Sequence, residues 1–153
     1  MKYLAVDYGE KRVGLAMSDP AGKLAFPLKT LYNYNRKVLA DELVAIMDEH
    51  GVDAVVLGLP VPEPGLSTDQ ALKTVAEAPE NSTLVMRQIK NLAASLTRRT
   101  NRPILLEDET LSSFDAEERL KASGLSGDKL TEVLDQQAAV LILETYLARC
   151  GNR

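Results

Sequence analysis

The sequence predicts an α/β fold in which a five-stranded mixed sheet, three antiparallel strands followed by parallel strands, is flanked by helices. Up to residue 31 the apolar residues fall in short runs separated by turn residues, whereas from residue 36 onward helical periodicity alternates with continuous apolar runs. The predicted order is therefore β-β-β-α-β-α-β followed by helices. The chain of 153 residues contains enough apolar material for one core, so residues 1–153 are interpreted as a single domain.

The first three predicted strands form a meander. Residues 3–6 are apolar and end at Asp7, and after a tight connection residues 12–19 form the second strand of a hairpin. A turn then leads into a third strand over residues 24–31. Because Pro27 cannot donate a hydrogen bond to a neighbouring strand, this third strand is expected at an edge of the sheet.

The next part of the chain predicts a helix and a buried strand. Leucine, isoleucine and methionine recur at helical spacing between Arg36 and His50, and Gly51 supplies a C-terminal stop. Residues 53–59 are a continuous apolar run, which is typical of a parallel strand buried on both faces. This strand is expected to complete a βαβ unit.

The second half of the chain predicts another helix and strand and two final helices. Residues 61–83 are rich in proline and polar residues and are interpreted as an atypical loop insertion. Helical periodicity returns over residues 84–100, and residues 103–106 form a further buried strand. A short helix over residues 116–122 and a long helix over residues 129–149 complete the chain.

The composition excludes several classes of protein. No apolar stretch is long enough to cross a bilayer and no signal peptide is recognisable, so we expect no membrane association and a cytoplasmic location. The single cysteine and single histidine exclude an internal disulfide and a conventional zinc site. Any metal site must therefore be built from carboxylates.

Acidic residues interrupt or end apolar segments at three places, where a solvated surface carboxylate would not normally stand. Asp7 closes the first strand, Glu107-Asp108-Glu109 closes the last strand, and Asp135 lies on the final helix. If the two strands are parallel, their acids emerge at one edge of the sheet and can share a cation. The structural alternatives are turn hydrogen bonds for Asp7 and a charge cluster at a helix N-terminus for the three consecutive acids.

Asp135 is the most informative of these acids. Its neighbours at helical spacing are small or apolar residues suited to packing on a sheet, namely Ala138, Ala139 and Ile142. A carboxylate on such a face needs hydrogen bonds, a basic partner or a metal. The alternative to a metal is an ion pair with Lys129 or Arg119.

Four segments carry recognisable motifs: residues 7–19 (DYGEKRVGLAMSD), 56–60 (VLGLP), 108–113 (DETLSS) and 135–143 (DQQAAVLIL). In this order, and over nearly the whole chain, they resemble the YqgF/RuvX family of Holliday junction resolvases. Each motif alone would be weak evidence, whereas the four in order are specific.

The resemblance implies an RNase H-like fold and an endonuclease that hydrolyses phosphodiester bonds with Mg²⁺ or Mn²⁺. It implies catalytic roles for Asp7, Glu109 and Asp135, and metal coordination by these three with Asp108 as a neighbouring acid. It also implies structured nucleic acid as the substrate, either branched DNA or the 5′ end of precursor small-subunit ribosomal RNA. Pre-ribosomal particles are accordingly implied as partners.

The charges are segregated along the chain in spite of a net charge of −4. Residues 104–135 hold nine acids and three bases, whereas residues 85–103 hold five bases and no acid. The basic side chains that we expect to contact phosphates are Lys11, Arg12, Arg87 and Lys90. The alternative for each is a solvated turn or helix face.

Aromatic residues make up only 5% of the chain, which predicts no platform for stacking bases and leaves DNA and RNA equally compatible. The oligomeric state is equally open, since a two-fold symmetric junction favours a homodimer and the trimming of an RNA end needs only a monomer.

The chain also departs from the family pattern near the expected site. Thr110 stands where the family commonly has arginine, residues 127–132 hold few bases, and the insertion at 61–83 is acidic. These departures support a second hypothesis, a catalytically weak or inactive nucleic-acid or ribosome-associated binding module of the same fold. A third, a nucleotide-binding fragment of the actin/Hsp70-like superfold, is opposed by the chain length because those ATPases need two such lobes.

Overall fold

The computed structural model describes residues 1–59, 84–108 and 127–151. Within these ranges lie the following elements: β1 (Tyr3–Asp7), β2 (Arg12–Ser18), β3 (Ala25–Tyr32), α1 (Arg36–His50), β4 (Ala54–Leu59), α2 (Leu84–Arg99), β5 (Ile104–Asp108) and α3 (Gly127–Gly151). The predicted loop insertion at 61–83 and short helix at 116–122 lie outside the described residues. In the described part of the chain, no helix combines the length and apolar character that crossing a membrane requires.

The five strands form one sheet in the order β3-β2-β1-β4-β5. Strands β1, β2 and β3 pair antiparallel, while β4 is parallel to β1 and β5 is parallel to β4. This confirms the predicted mixed sheet. Strand β3 is an edge strand, as Pro27 predicted, and its pairing with β2 shifts register between Leu15 and Ala16 beside this proline.

Alternating side chains divide the sheet between two apolar clusters. Leu4 and Val6 of β1 point into the larger cluster with residues of α1 and α2. Ala5 of β1 and Ala16 of β2 face α3 on the other side. The sheet residues under α3 include these small side chains, so the helix backbone can approach the strands closely.

Asn35 begins α1 as an N-cap residue. Its Oδ1 accepts hydrogen bonds from the backbone N–H groups of Lys37 at 2.8 Å and Val38 at 3.4 Å. We expect Asn35→Ala to lower the free energy of unfolding by about 1 kcal/mol, because these donors lose their acceptor. Urea denaturation followed by circular dichroism measures this, with Asn91→Ala on the exposed face of α2 as the matched control. A loss of equal size in the control would contradict the capping role.

Candidate active site

Asp7 ends β1 on the face of the sheet that α3 covers. It alternates with Ala5, which packs against α3, so both side chains belong to that face. On the neighbouring strand its partner is Gly14 of β2. The carboxylate is half-buried at the edge of the sheet where β1 and β4 both end.

Gly14 allows α3 to lie directly on the sheet at this point. A Cβ atom built on Gly14 would overlap the backbone carbonyl group of Asp135. Asp135 therefore stands against the residue that pairs with Asp7, and the fold brings these two predicted acids to one place. The apolar neighbours of Asp135 on α3 are buried as their spacing predicted, namely Ala138, Ala139 and Ile142.

Asp135 is paired with Arg12. The Nε–H of Arg12 donates to Oδ2 of Asp135 at 2.9 Å, and the two side chains are 37% and 22% exposed. Arg12 precedes Gly14 by two residues on β2 and so projects from the same face. This basic partner of Asp135 comes from the motif that follows Asp7. The side chains of the two predicted partners, Lys129 and Arg119, lie outside the described residues.

The end of β5 reaches the same edge of the sheet. Glu107 is the partner of Gly58 on β4. Gly58 is level with Asp7, because the preceding residues Leu57 and Val6 are partners. Glu107 thus lies two strands from Asp7, about 10 Å between backbones, with a glycine between them. Asp108 is the last residue of β5, and Glu109 lies beyond the described residues.

Glu107 belongs to the predicted acid cluster, but it was not among the residues selected for the site. Its side chain is only 4% exposed, and Nη2 of Arg149 lies 2.7 Å from its Oε2 in a charge contact that lacks the alignment of a hydrogen bond. The contact joins the last turn of α3 to β5. A sequence signal was available, since Glu107 alternates with Leu105 inside the strand rather than following it.

The basic residues expected to contact phosphates fall in two places. Lys11 is exposed in the connection between β1 and β2, next to Arg12. Arg87 and Lys90 are exposed on α2, which packs through Ile89 on the opposite face of the sheet from α3. Arg12 therefore lies on the face that carries Asp7, Lys11 precedes it at the same end of the strands, and the two α2 residues belong to a helix on the opposite face.

The donor chemistry at this edge suits a hard divalent cation. Asp7 and Asp135 supply carboxylate oxygens, the ligands that Mg²⁺ and Mn²⁺ prefer. Among residues 1–59, 84–108 and 127–151 no three histidine, cysteine or acidic residues are grouped closely enough to hold a metal. The third predicted carboxylate, Glu109, belongs to the part of the chain between these ranges.

A family model described as "RuvX: Holliday junction resolvase" matches residues 1–149. The chain belongs to the RuvX family. A relative from Maridesulfovibrio salexigens is 46% identical over 149 residues, covering 97% of this chain and 99% of the relative. Another from Nitratidesulfovibrio vulgaris (strain Miyazaki F) is 44% identical over 147 residues, covering 96% and 93%. Both carry the name "Putative pre-16S rRNA nuclease". The predicted family and the enzyme class, a nuclease, are confirmed.

The RuvX chain also resembles solved resolvase structures. Thermus thermophilus RuvC in complex with a Holliday junction substrate superposes with a TM-score of 0.53 at 13% identity, covering 99% of this chain and 96% of that one. The Fowlpox virus resolvase bound to Holliday junction DNA gives 0.54 at 14% identity, covering 98% and 99%. At these identities the likeness concerns the fold, and it confirms the predicted RNase H-like architecture.

Proposed function

We propose that this RuvX protein is a divalent-metal-dependent endonuclease acting on structured nucleic acid, and that it matures the 5′ end of precursor small-subunit ribosomal RNA. Holliday junction resolution by the same site is the alternative role. The observation that carries the proposal is the meeting of Asp7 and Asp135 across Gly14, at the sheet edge where β5 also ends. The names of the relatives support ribosomal RNA as the substrate.

In this proposal Asp7, Glu109 and Asp135 are the catalytic carboxylates, and together with Asp108 they hold Mg²⁺ or Mn²⁺. When bound, the cation supplies an activated water and stabilises the charge on the leaving oxygen. The protein fixes the ligands, since β1 holds Asp7 and the packing of α3 on Gly14 holds Asp135.

The basic residues bind and orient the substrate in this proposal. Arg12 is held beside the site by its bond to Asp135, and its planar guanidinium carries further donors that suit a phosphate. Lys11, the residue before Arg12, adds a second cation. Arg87 and Lys90 on α2 would contact more distant phosphates of a long substrate.

The proposed substrate also determines the partners and location. Precursor ribosomal RNA implies contact with pre-ribosomal particles in the cytoplasm. A monomer is sufficient for trimming an RNA end, whereas coordinated cutting of a two-fold symmetric junction requires a homodimer.

One observation favours a second candidate function, a nucleic-acid binding module without cleavage. Oδ2 of Asp135 already accepts the Nε–H of Arg12, so the ion pair competes with a cation for that oxygen. In such a module Arg12 and Asp135 would stabilise the contact between α3 and the sheet.

We expect the purified protein to cleave a precursor ribosomal RNA fragment at its 5′ extension in Mg²⁺ or Mn²⁺, and to be inactive in EDTA. The same preparation is assayed on a synthetic four-way DNA junction, and faster cleavage of the junction would favour the alternative role. Equal cleavage with and without EDTA would contradict metal dependence. Binding of both substrates without cleavage in either metal would establish the binding module.

A further inference from the structure

Two exposed tyrosines lie next to the candidate active site. Tyr32, at the end of edge strand β3, is 51% exposed, and Tyr34, just beyond the strand, is 88% exposed. Their rings are stacked, with centroids 6.1 Å apart and planes inclined by 19°. Neither ring belongs to the apolar clusters on the two faces of the sheet.

The position of this pair relative to the candidate site follows from strand register. Tyr32 is the partner of Arg12, and Thr30, two residues earlier, is the partner of Gly14. Since Gly14 pairs in turn with Asp7, Thr30 lies two strands to the side of Asp7, about 10 Å away, and Tyr32 follows two residues further along β3. A single nucleic-acid chain can therefore contact both the tyrosine pair and the candidate site at Asp7.

The residues around Tyr34 hold its backbone in place. Asn33 donates its backbone N–H to the carbonyl of Lys11 at 2.9 Å and its side-chain amide to the carbonyl of Gly9 at 3.0 Å. On the other side, Asn35 caps α1. The exposed ring of Tyr34 is thus carried by a segment tied directly to the connection that follows Asp7.

The surroundings of the two rings are positively charged. Residues 29–37 contain three bases and no acid, and the first turn of α1 contains no acidic residue. Arg36, Lys37 and Lys11 are all exposed near the rings, with Glu10 as the neighbouring acid. Aromatic faces flanked by cations suit a nucleic-acid strand, because its nucleobases stack on the rings while its phosphates contact the basic side chains.

From these observations, we propose that Tyr32 and Tyr34 form a stacking platform for unpaired nucleobases of the substrate, beside the cleavage site. The proposal rests on the proposed nuclease function and deepens it, because it names the substrate class. A platform of this kind requires bases whose faces are open, so it favours a single-stranded segment next to the scissile bond over a fully paired duplex. It differs from the expectation from composition that no platform exists.

The test is a binding measurement that does not depend on cleavage. Fluorescence anisotropy in EDTA follows a labelled single-stranded oligonucleotide, as RNA and as DNA, and a blunt duplex of the same sequence. We expect Tyr34→Ala to weaken single-strand binding about tenfold and duplex binding less than about twofold. Phe26→Ala is the matched control, since Phe26 is 47% exposed at the far end of β3.

A second measurement uses the absence of tryptophan from the chain. Tyr34→Trp introduces a single indole, whose fluorescence we expect the single strand to quench and the duplex to leave nearly unchanged. Single-strand binding that is absent, or that is the same in Tyr34→Ala as in the unmodified protein, would overturn the platform even if the enzyme cleaves RNA. Tyr34-dependent binding without cleavage would instead support the platform and contradict the nuclease proposal.

Discussion

Asp7→Asn is expected to reduce metal-dependent cleavage at least about 100-fold. Loss of a residue that only hydrogen-bonds a metal ligand already commonly costs 10–100-fold in metal affinity or activity. The substitution keeps the size of the side chain and removes one negative charge from the edge where Asp7 and Asp135 meet. A neutral amide is a poorer ligand for a hard cation than a carboxylate. Calorimetric titration with Mn²⁺ should show weaker binding in parallel with the lost activity.

Asp48→Asn is the matched control for this experiment. Asp48 is an exposed acid near the end of α1 that pairs with Arg102, at the opposite end of the strands from Asp7. We therefore expect the cleavage rate and metal affinity of the Asp48→Asn variant to match those of the unmodified protein. Cleavage by Asp7→Asn within a factor of about two of normal would contradict the assignment of Asp7. Lost cleavage with unchanged Mn²⁺ affinity would place Asp7 in the reaction but not in metal binding.

The elements that the sequence predicted well are those that local pattern determines. Helix α1 has the predicted bounds because its apolar spacing, the preceding Asn35 and the following Gly51 all act within a few residues. Pro27 predicted the edge position of β3 for an equally local reason, the missing N–H donor. The bounds of α3 were less accurate, since the helix extends two residues beyond the prediction at each end.

The partners of the acids could not be predicted in this way. Arg12 and Asp135 are 123 residues apart in the chain and meet only because α3 crosses the sheet over Gly14. The contact between Glu107 and Arg149 likewise depends on where the far end of α3 passes β5. Sequence spacing showed that Asp135 needed a partner, but tertiary packing decided which one it received.

The tyrosine pair illustrates the same limit for binding surfaces. A content of five tyrosines and two phenylalanines argues against an aromatic surface only if the rings are scattered. Tyr32 and Tyr34 are two residues apart, the spacing that places side chains of an extended segment on one side. Their exposure, however, depends on β3 being an edge strand and on Asn33 fixing the turn beside them.

The contact of Gly14 with α3 leads to the largest expected effect on stability. We expect Gly14→Ala to lower the free energy of unfolding by about 3 kcal/mol, at the upper end of the cost of overpacking. The added methyl group would overlap the carbonyl group of Asp135, and both partners are backbone, so no side chain can rotate away. For a chain of this size, this corresponds to a fall in melting temperature of about 6 °C or more by circular dichroism.

Gly51→Ala is the matched control, because it makes the same chemical change at a glycine that has open space around its Cβ position. Gly51 has a φ of 64°, so its substitution costs backbone strain of about 1 kcal/mol without displacing a helix. Equal losses in the two variants would show that α3 moves easily away from β2. A larger loss for Gly14→Ala, accompanied by weaker Mn²⁺ binding only in that variant, would show that the same contact that stabilises α3 also fixes Asp135 beside Asp7.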